Sequence, residues 1–225
     1  MYTVLVITAH PDDMEIACAG TLLKCKERGD RVVVCHLSSG NQGHEIIMPD
    51  ELTEMRAKEA QRSGALGGFE VMWGGFHDLE IYDNNRESRD KVVDVIKKVD
   101  PDFIITHDPE DYMPDHTATS RLVFDACFTA TLPHYETKVA GKARLTPIYY
   151  MDTLAGVNFN PPNTWMCPTT STKSWRCSTV TSPRSFGCGI TTASISPTWS
   201  RPAAVTAASS AVLTTPRDSS NAGSI

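Results

Sequence analysis

The chain has 225 residues and a formal net charge of −6, so it is long enough for one sizeable α/β domain with its own core. The negative charge argues against a nucleic-acid or anionic membrane surface, and no stretch approaches the apolar length of a membrane span. The start of the chain lacks signal-peptide features, so a cytoplasmic location is expected. In a reducing compartment the cysteines should be free, and those of the first 130 residues are expected to be buried: Cys18, Cys25, Cys35 and Cys127.

Strands and helices alternate along the first 150 residues. Buried strands are predicted at Tyr2–Ala9, Arg31–Leu37, Glu70–Trp73, Asp102–Thr106 and Pro147–Met151. Helices are predicted at Glu15–Arg28, with Gly29 as its C-cap, then at Glu51–Leu66, capped by Asp50, and at Glu87–Val99 and Asp115–Thr129. This alternation predicts an α/β fold with a doubly wound, mostly parallel sheet, in which ligands bind beyond the carboxyl ends of the strands.

The first polar cluster, Ala9-His10-Pro11-Asp12-Asp13, directly follows the first strand. Imidazole nitrogens and carboxylate oxygens are both good Zn²⁺ ligands, and a turn can aim His10 and Asp13 at one point. Asp12 is then free to take a proton from an activated water molecule. The alternative is that one of the two aspartates simply caps the next helix, and this five-residue cluster alone favours that alternative.

The second cluster, Asp111-Tyr112-Met113-Pro114-Asp115-His116, follows another predicted strand. His116 would complete a His/Asp/His set that leaves a position open to water, as catalytic zinc sites do. Asp115 is placed to cap the next helix, and it could also hold the His116 ring. A lone histidine at a helix start is more often structural, but two clusters at two strand ends of one sheet favour a shared site.

Together these motifs resemble the LmbE-like (PIG-L-type) family of zinc-dependent N-acetylglucosaminyl deacetylases. Residues from Met1 to about Met151 carry the resemblance, which includes Arg56 and Glu59 in the family's Arg-x-x-Glu pattern and Asp78 in a loop after the third strand. It implies a Rossmann-like fold with helices on both faces of the sheet. It also implies one Zn²⁺ per chain and removal of acetate from an N-acetylated small molecule, often an amino sugar. A trimer or hexamer is expected by the same resemblance.

The resemblance also implies roles for particular residues. The metal ligands would be His10, Asp13 and His116, with Asp12 as general base, Asp115 beside the ligands, and Arg56 and Asp78 contacting substrate. Arg56 could instead be an ordinary ion-paired helix residue. Among the remaining histidines, His107 ends a strand close to the expected site. The others are expected to be structural or exposed.

One departure from the family pattern concerns catalysis. Many members have His-Pro-Asp-His where this chain has Met113-Pro114-Asp115-His116, and the first of those histidines is thought to stabilise the oxyanion. Methionine cannot do this, so a catalytically inactive metal-binding scaffold is the main alternative to a deacetylase. A nucleotide-binding module is disfavoured because the glycine-containing loop 40–43 has neither dinucleotide nor P-loop spacing.

The composition changes abruptly near Asn160, so the deacetylase-like domain is predicted to cover residues 1–160. Residues 161–225 contain 25 Ser or Thr, seven of the 14 prolines and a single acidic residue, Asp218. Such a segment is typical of a disordered tail, although its tryptophans and cysteines are unusual there. A frame error is the second interpretation, because one permitted codon choice for Ile190–Ser200 reads His-His-Gly-Ile-Asp in a shifted frame. Either way, 161–225 is not expected to complete the domain.

Restoring the reading frame near Asn160 should therefore raise both solubility and acetate release, because the sheet and the substrate pocket would regain their missing cover. The measurement compares the restored chain with the present one by soluble yield and by an acetate assay. Equal yield and activity, or a compact protease-resistant 161–225, would contradict the frame-error interpretation.

Overall fold

The computed structural model describes residues 1–156, residue 159 and the backbones of 165–166 and 194–195. The strands are β1 (Thr3–Thr8), β2 (Arg31–Ser38), β3 (Glu70–Phe76), β4 (Phe103–His107), β5 (Ile148–Met151), β6 (Trp165–Met166) and β7 (Ser194–Ile195). The helices are α1 (Asp13–Ala17), α2 (Ala19–Glu27), α3 (Pro49–Gly67), α4 (Arg86–Val99) and α5 (Pro114–Thr129). Apart from the β6–β7 pair, the predictions for 161–225 lie outside the described residues.

The first five strands form one sheet in the order β3-β2-β1-β4-β5, and every pairing in it is parallel. The chain builds outward from β1 through β2 to β3, and then continues on the other side of β1 with β4 and β5. This is the doubly wound arrangement, and the predicted Rossmann-like α/β fold is confirmed. β6 and β7 pair antiparallel in a separate two-stranded sheet.

The core has two layers, one on each face of the sheet. Leu5 and Ile7 of β1 belong to the cluster that includes residues of α4 and α5, whereas Val4 and Val6 belong to the cluster with α1 and α2. All four side chains are fully buried. Successive strand residues point to opposite faces, so a strand covered on both sides has to be apolar throughout.

The helix expected at Glu15–Arg28 is two helices, because Cys18 leaves the helical conformation with φ −140°. The two helices pack differently. α1 buries Asp13 and Glu15 at the end of the sheet, whereas α2 packs its apolar residues beside β2. Arg28 holds the C-cap position of α2, and the predicted cap, Gly29, is the next residue, with the φ of +92° that is typical there. The cap predicted for α3 is wrong: Met48 holds the N-cap position, and Asp50 lies in the first turn.

The four cysteines of the described region are buried thiols, as predicted. Burial raises the pKa of the Cys35 thiol to about 12 and also raises the pKa of Cys127. These thiols therefore remain protonated and act as small apolar core residues. Among the helices of residues 1–156, none combines the length and apolar character needed to cross a membrane.

Candidate metal centre and active site

The site lies at the point in the sheet where the direction of strand addition reverses, between β1 and β4. β1 and β4 are neighbours, but the chain leaves β1 toward β2 and leaves β4 toward β5 on the opposite side. Loops that diverge in this way leave a crevice beyond the carboxyl ends of the two strands. His10 follows β1 by two residues and His107 is the last residue of β4, so both imidazoles lie at this crevice.

Three buried side chains expected from the sequence, His10, Asp13 and His116, meet in the crevice. Nδ1 of His10 lies 3.6 Å from Oδ2 of Asp13, and Nε2 of His116 lies 3.2 Å from Oδ1 of Asp13. The two imidazole centroids are 5.4 Å apart. One ligand atom from each residue lies within 4.8 Å of the others, so the trio could hold a metal ion.

The hydrogen bonding of His116 fits a metal ligand. Its Nδ1 lies 2.9 Å from Oδ2 of Asp111, so a proton on Nδ1 is donated to that carboxylate. Its Nε2 faces Oδ1 of Asp13 at 3.2 Å without good hydrogen-bond geometry to any described residue, so after loss of its proton this nitrogen would be available to a metal ion. Two imidazole nitrogens and one carboxylate oxygen are the protein ligands of many catalytic zinc sites, so these residues fit a divalent ion such as Zn²⁺.

The carboxylate on the His116 ring is Asp111, whereas the sequence analysis expected Asp115 in that position. Helix geometry explains the difference, because adjacent residues of a helix point about 100° apart around its axis. Asp115 therefore points away from His116, its neighbour in α5. Asp111 lies in the loop before the helix, and that loop brings its carboxylate back to the ring.

Asp115 instead contacts the other candidate ligand histidine. Its Oδ2 lies 3.2 Å from Nε2 of His10 and accepts the backbone N–H of Leu79 at 2.9 Å. The expected capping role is also wrong, since Met113 holds the N-cap position of α5. Each of the two histidines thus has a carboxylate on the nitrogen that faces away from Asp13, an arrangement that fixes the ring orientation of metal ligands.

Electrostatics favour positive charge in this crevice. Burial alone would lower the pKa of His10, but hydrogen bonds with Asp115 and Asp13 outweigh burial and raise that pKa to about 12. The pKa of His116 is also raised against burial, mainly by Asp13. Burial opposes ionisation of Asp13, yet His107 and His10 hold its pKa well below the usual range. A metal ion would displace the protons held on the histidines, so its binding should release protons.

Asp12 differs from its neighbour Asp13 in environment and in backbone conformation. Its side chain is 28% exposed against 3% for Asp13, and it makes no capping bond to the described part of α1. Its φ of +137° is unusual for a residue with a Cβ, and such strain costs of the order of 1–3 kcal/mol. Burial raises the pKa of its carboxyl to about 6, with Arg56 opposing the rise. This pKa suits a base that works near neutral pH.

Arg56, a residue of α3, is 9% exposed and contacts the loop that carries Asp12. Its Nη2 donates to the carbonyl oxygen of Pro11 at 2.6 Å and to Oδ2 of Asp12 at 2.7 Å, while Nη1 donates to the carbonyl oxygen of Gly40 at 3.0 Å. These three acceptors belong to the protein itself. The substrate contact expected for Arg56 stays a prediction.

Asp78, the second expected substrate contact, is also engaged with the protein. Its Oδ1 lies 3.1 Å from Nε2 of His10, and its Oδ2 accepts the backbone N–H of Gln42 at 2.8 Å. The side chain is 8% exposed. Asp78 therefore joins Asp115 in orienting His10, and direct binding of substrate by Asp78 also stays a prediction.

The sequence analysis gave no role to His107, and the structure places it against Asp13. Its Nε2 is 3.1 Å from Oδ2 of Asp13 and 3.0 Å from the backbone nitrogen of Ala9, and its ring stacks on His116 at 3.8 Å. Asp111 was likewise overlooked as the partner of His116. Its spacing of five residues from His116 was visible in the sequence, but spacing does not reveal how a loop folds back.

The fold and this crevice define a Rossmann-like α/β domain with a histidine–aspartate site at the switch point of its sheet. A family model described as "PIG-L: GlcNAc-PI de-N-acetylase" matches residues 5–127, more than half of the sequence. The chain belongs to this family.

Curated relatives extend the comparison. Diacetylchitobiose deacetylase of Thermococcus kodakarensis is 33% identical over 138 residues, which are 59% of this chain and 51% of that protein. 4-Oxalmesaconate hydratase of Pseudomonas putida is 27% identical over 139 residues, 59% of this chain and 54% of the relative. The chain thus spans about half the length of these two relatives. A probable N-acetyl-alpha-D-glucosaminyl L-malate deacetylase 2 of Bacillus cereus is 32% identical over 152 residues, 64% of this chain and 68% of that one.

A solved structure shares the fold. The N,N'-diacetylchitobiose deacetylase of Pyrococcus horikoshii superposes with a TM-score of 0.72 at 24% identity, covering 80% of this chain and 69% of that one.

Asp111→Asn should weaken Zn²⁺ binding by roughly 10- to 100-fold, because an amide holds the His116 ring less firmly than a carboxylate does. Competition against a chromophoric chelator measures this affinity. The adjacent exposed residue supplies a matched control, Glu110→Gln, for which no change is expected. Equal affinity in Asp111→Asn and the parent chain would show that Asp111 does not orient a metal ligand.

Proposed function

We propose that this chain is a metal-dependent hydrolase that removes the acetyl group from an N-acetylated amino sugar or a related small molecule. The observation that carries the proposal is the convergence of His10, Asp13 and His116 beside a more exposed carboxylate, Asp12. The deacetylases among the relatives, whose names refer to acetylated amino sugars, support this substrate class.

In the proposed mechanism, His10, Asp13 and His116 hold the metal. When bound there, Zn²⁺ would supply a Lewis acid that polarises the acetamide carbonyl and makes a water molecule more acidic. Asp12 accepts a proton from the attacking water and returns it to the departing amine, so acetate and a free amine are formed. Its pKa of about 6 leaves it mostly ionised at neutral pH and still able to carry the proton between the two steps.

Two other candidate functions each have a specific observation in their favour. Met113 stands where many family members have a histidine that is thought to stabilise the oxyanion, which favours a catalytically inactive, metal-binding scaffold. The Pseudomonas putida relative is named a hydratase, which favours addition of water to a carbon–carbon double bond.

One set of measurements separates these functions. Metal content is determined on the purified chain, and acetate release is followed with N-acetylglucosamine and N,N'-diacetylchitobiose before and after chelation. Chelator-sensitive acetate release supports the deacetylase, and bound metal with neither activity supports the scaffold. Bound metal without acetate release, but with loss of the absorbance of 4-oxalmesaconate, supports the hydratase.

Asp12→Asn should retain the metal and lose roughly two to four decades in the rate of acetate release, the usual contribution of a general acid–base group. The amide keeps the shape of the side chain but cannot accept the proton. Steady-state kinetics at verified metal occupancy measure the loss, with the exposed Asp50→Asn as control. An unchanged rate would rule out Asp12 as the base.

Met113→His should raise the rate of acetate release by about tenfold or more, since one hydrogen-bond donor at a developing oxyanion contributes 10²–10³-fold in well-ordered sites. Two variants are the matched comparisons: Met113→Gln carries an amide hydrogen-bond donor on a side chain of different length, and Met113→Leu has no donor. If histidine gives no more activity than leucine, another group of this chain already stabilises the oxyanion or the chain is not a deacetylase.

A further inference from the structure

The guanidinium of Arg56 ties together three separate parts of the site. It projects from α3, reaches the loop after β1 through Pro11 and Asp12, and reaches the loop after β2 through Gly40. We propose that Arg56 is a positioning residue, which holds the Asp12 carboxylate and the Pro11–Asp12 peptide in the orientation needed for proton transfer. This inference rests on the proposed role of Asp12 as the base.

The bonding of a single nitrogen supports this role. Nη2 donates both to the carbonyl oxygen that precedes Asp12, at 2.6 Å, and to the carboxylate of Asp12, at 2.7 Å. It therefore fixes the backbone and the side chain of the same residue. Asp12 has a φ of +137°, and such a conformation persists only where the surrounding contacts over-determine it. Arg56 supplies two of those contacts.

The third contact fixes the guanidinium itself. Nη1 donates to the carbonyl oxygen of Gly40, whose φ is +62°. A Cβ on Gly40 would lie 2.7 Å from Nη1, so a side chain there would displace Arg56. The planar, forked guanidinium satisfies all three acceptors at once, which the single ammonium group of lysine cannot do in the same directions.

The same geometry argues against a substrate-binding arginine. Three of the five N–H donors of the guanidinium already serve protein acceptors, including both on Nη2, and Nε is buried without a hydrogen-bond partner among residues 1–156. A side chain that contacts substrate needs a donor directed at the open crevice. Arg56 instead acts on the reaction through Asp12.

A double-mutant cycle tests this inference on the full chain. Arg56→Gln and Arg56→Lys are made alone and with Asp12→Asn, and Arg62→Lys, an exposed arginine of the same helix, is the matched control. Arg56→Gln should lower kcat for acetate release by about 100-fold, as expected for a misplaced catalytic group, with KM and metal content nearly unchanged. Arg56→Lys should recover part of kcat. With Asp12→Asn present, loss of Arg56 should change the residual rate by less than about twofold.

Two kinetic outcomes would overturn the inference. A large rise in KM at unchanged kcat would make Arg56 a substrate ligand. A full, additive loss in the Asp12→Asn background would show that Arg56 acts through some other group. If Arg56→Gln fails to fold, Gly40→Ala replaces it, because this change leaves the arginine in place but displaces its guanidinium, and the same fall in kcat is expected.

Hydrogen exchange provides a readout that does not depend on turnover. Backbone amides of residues 9–16 should exchange faster in Arg56→Lys and Gly40→Ala than in the parent chain, while Arg62→Lys leaves them unchanged. Unchanged exchange in this loop overturns the positioning role even if the chain is an active deacetylase. Faster exchange confined to this loop supports the positioning role, and if no acetate is released it is the proposed activity alone that fails.

Discussion

A single buried carboxylate, that of Asp13, holds the crevice together. It accepts the backbone N–H of His10 at 2.7 Å and lies within about 3.2 Å of imidazole nitrogens from both His107 and His116. An ionised group so deeply buried is stable only when it is paired and hydrogen-bonded. Because its partners come from the loop after β1, the end of β4 and the first turn of α5, satisfying this one charge brings three parts of the chain to the same point.

The two consecutive aspartates show how environment separates chemically identical side chains. Asp13 contacts three imidazoles, which favour its ionised form, whereas Asp12 is partly exposed, pairs with Arg56 and has a raised pKa. Two carboxylates whose environments push their pKa values apart are typical of sites that need one fixed charge and one proton carrier. The strained backbone at Asp12 allows neighbours in sequence to point into such different surroundings.

The sequence was a good guide to whatever depends on periodicity and on local motifs. The buried strands follow from runs of apolar residues, and the meeting of His10 with His116 follows from two clusters at the ends of adjacent strands. The partners of the histidines could not be predicted, because they depend on how the loop at Asp111 folds back and on the direction in which α5 presents Asp115. The contacts of Arg56 depend on the path of the loop at Gly40, which has no periodic signature.

The buried cysteines can report local opening of the fold through their reaction with a thiol reagent. A thiol that is protonated and shielded reacts with an alkylating reagent only when the structure around it opens. Cys35 lies on the central part of the sheet, in β2, whereas Cys127 lies in α5 and donates to the carbonyl oxygen of Thr146. The order in which these two become labelled would therefore distinguish opening of the helix that carries His116 from unfolding of the whole sheet.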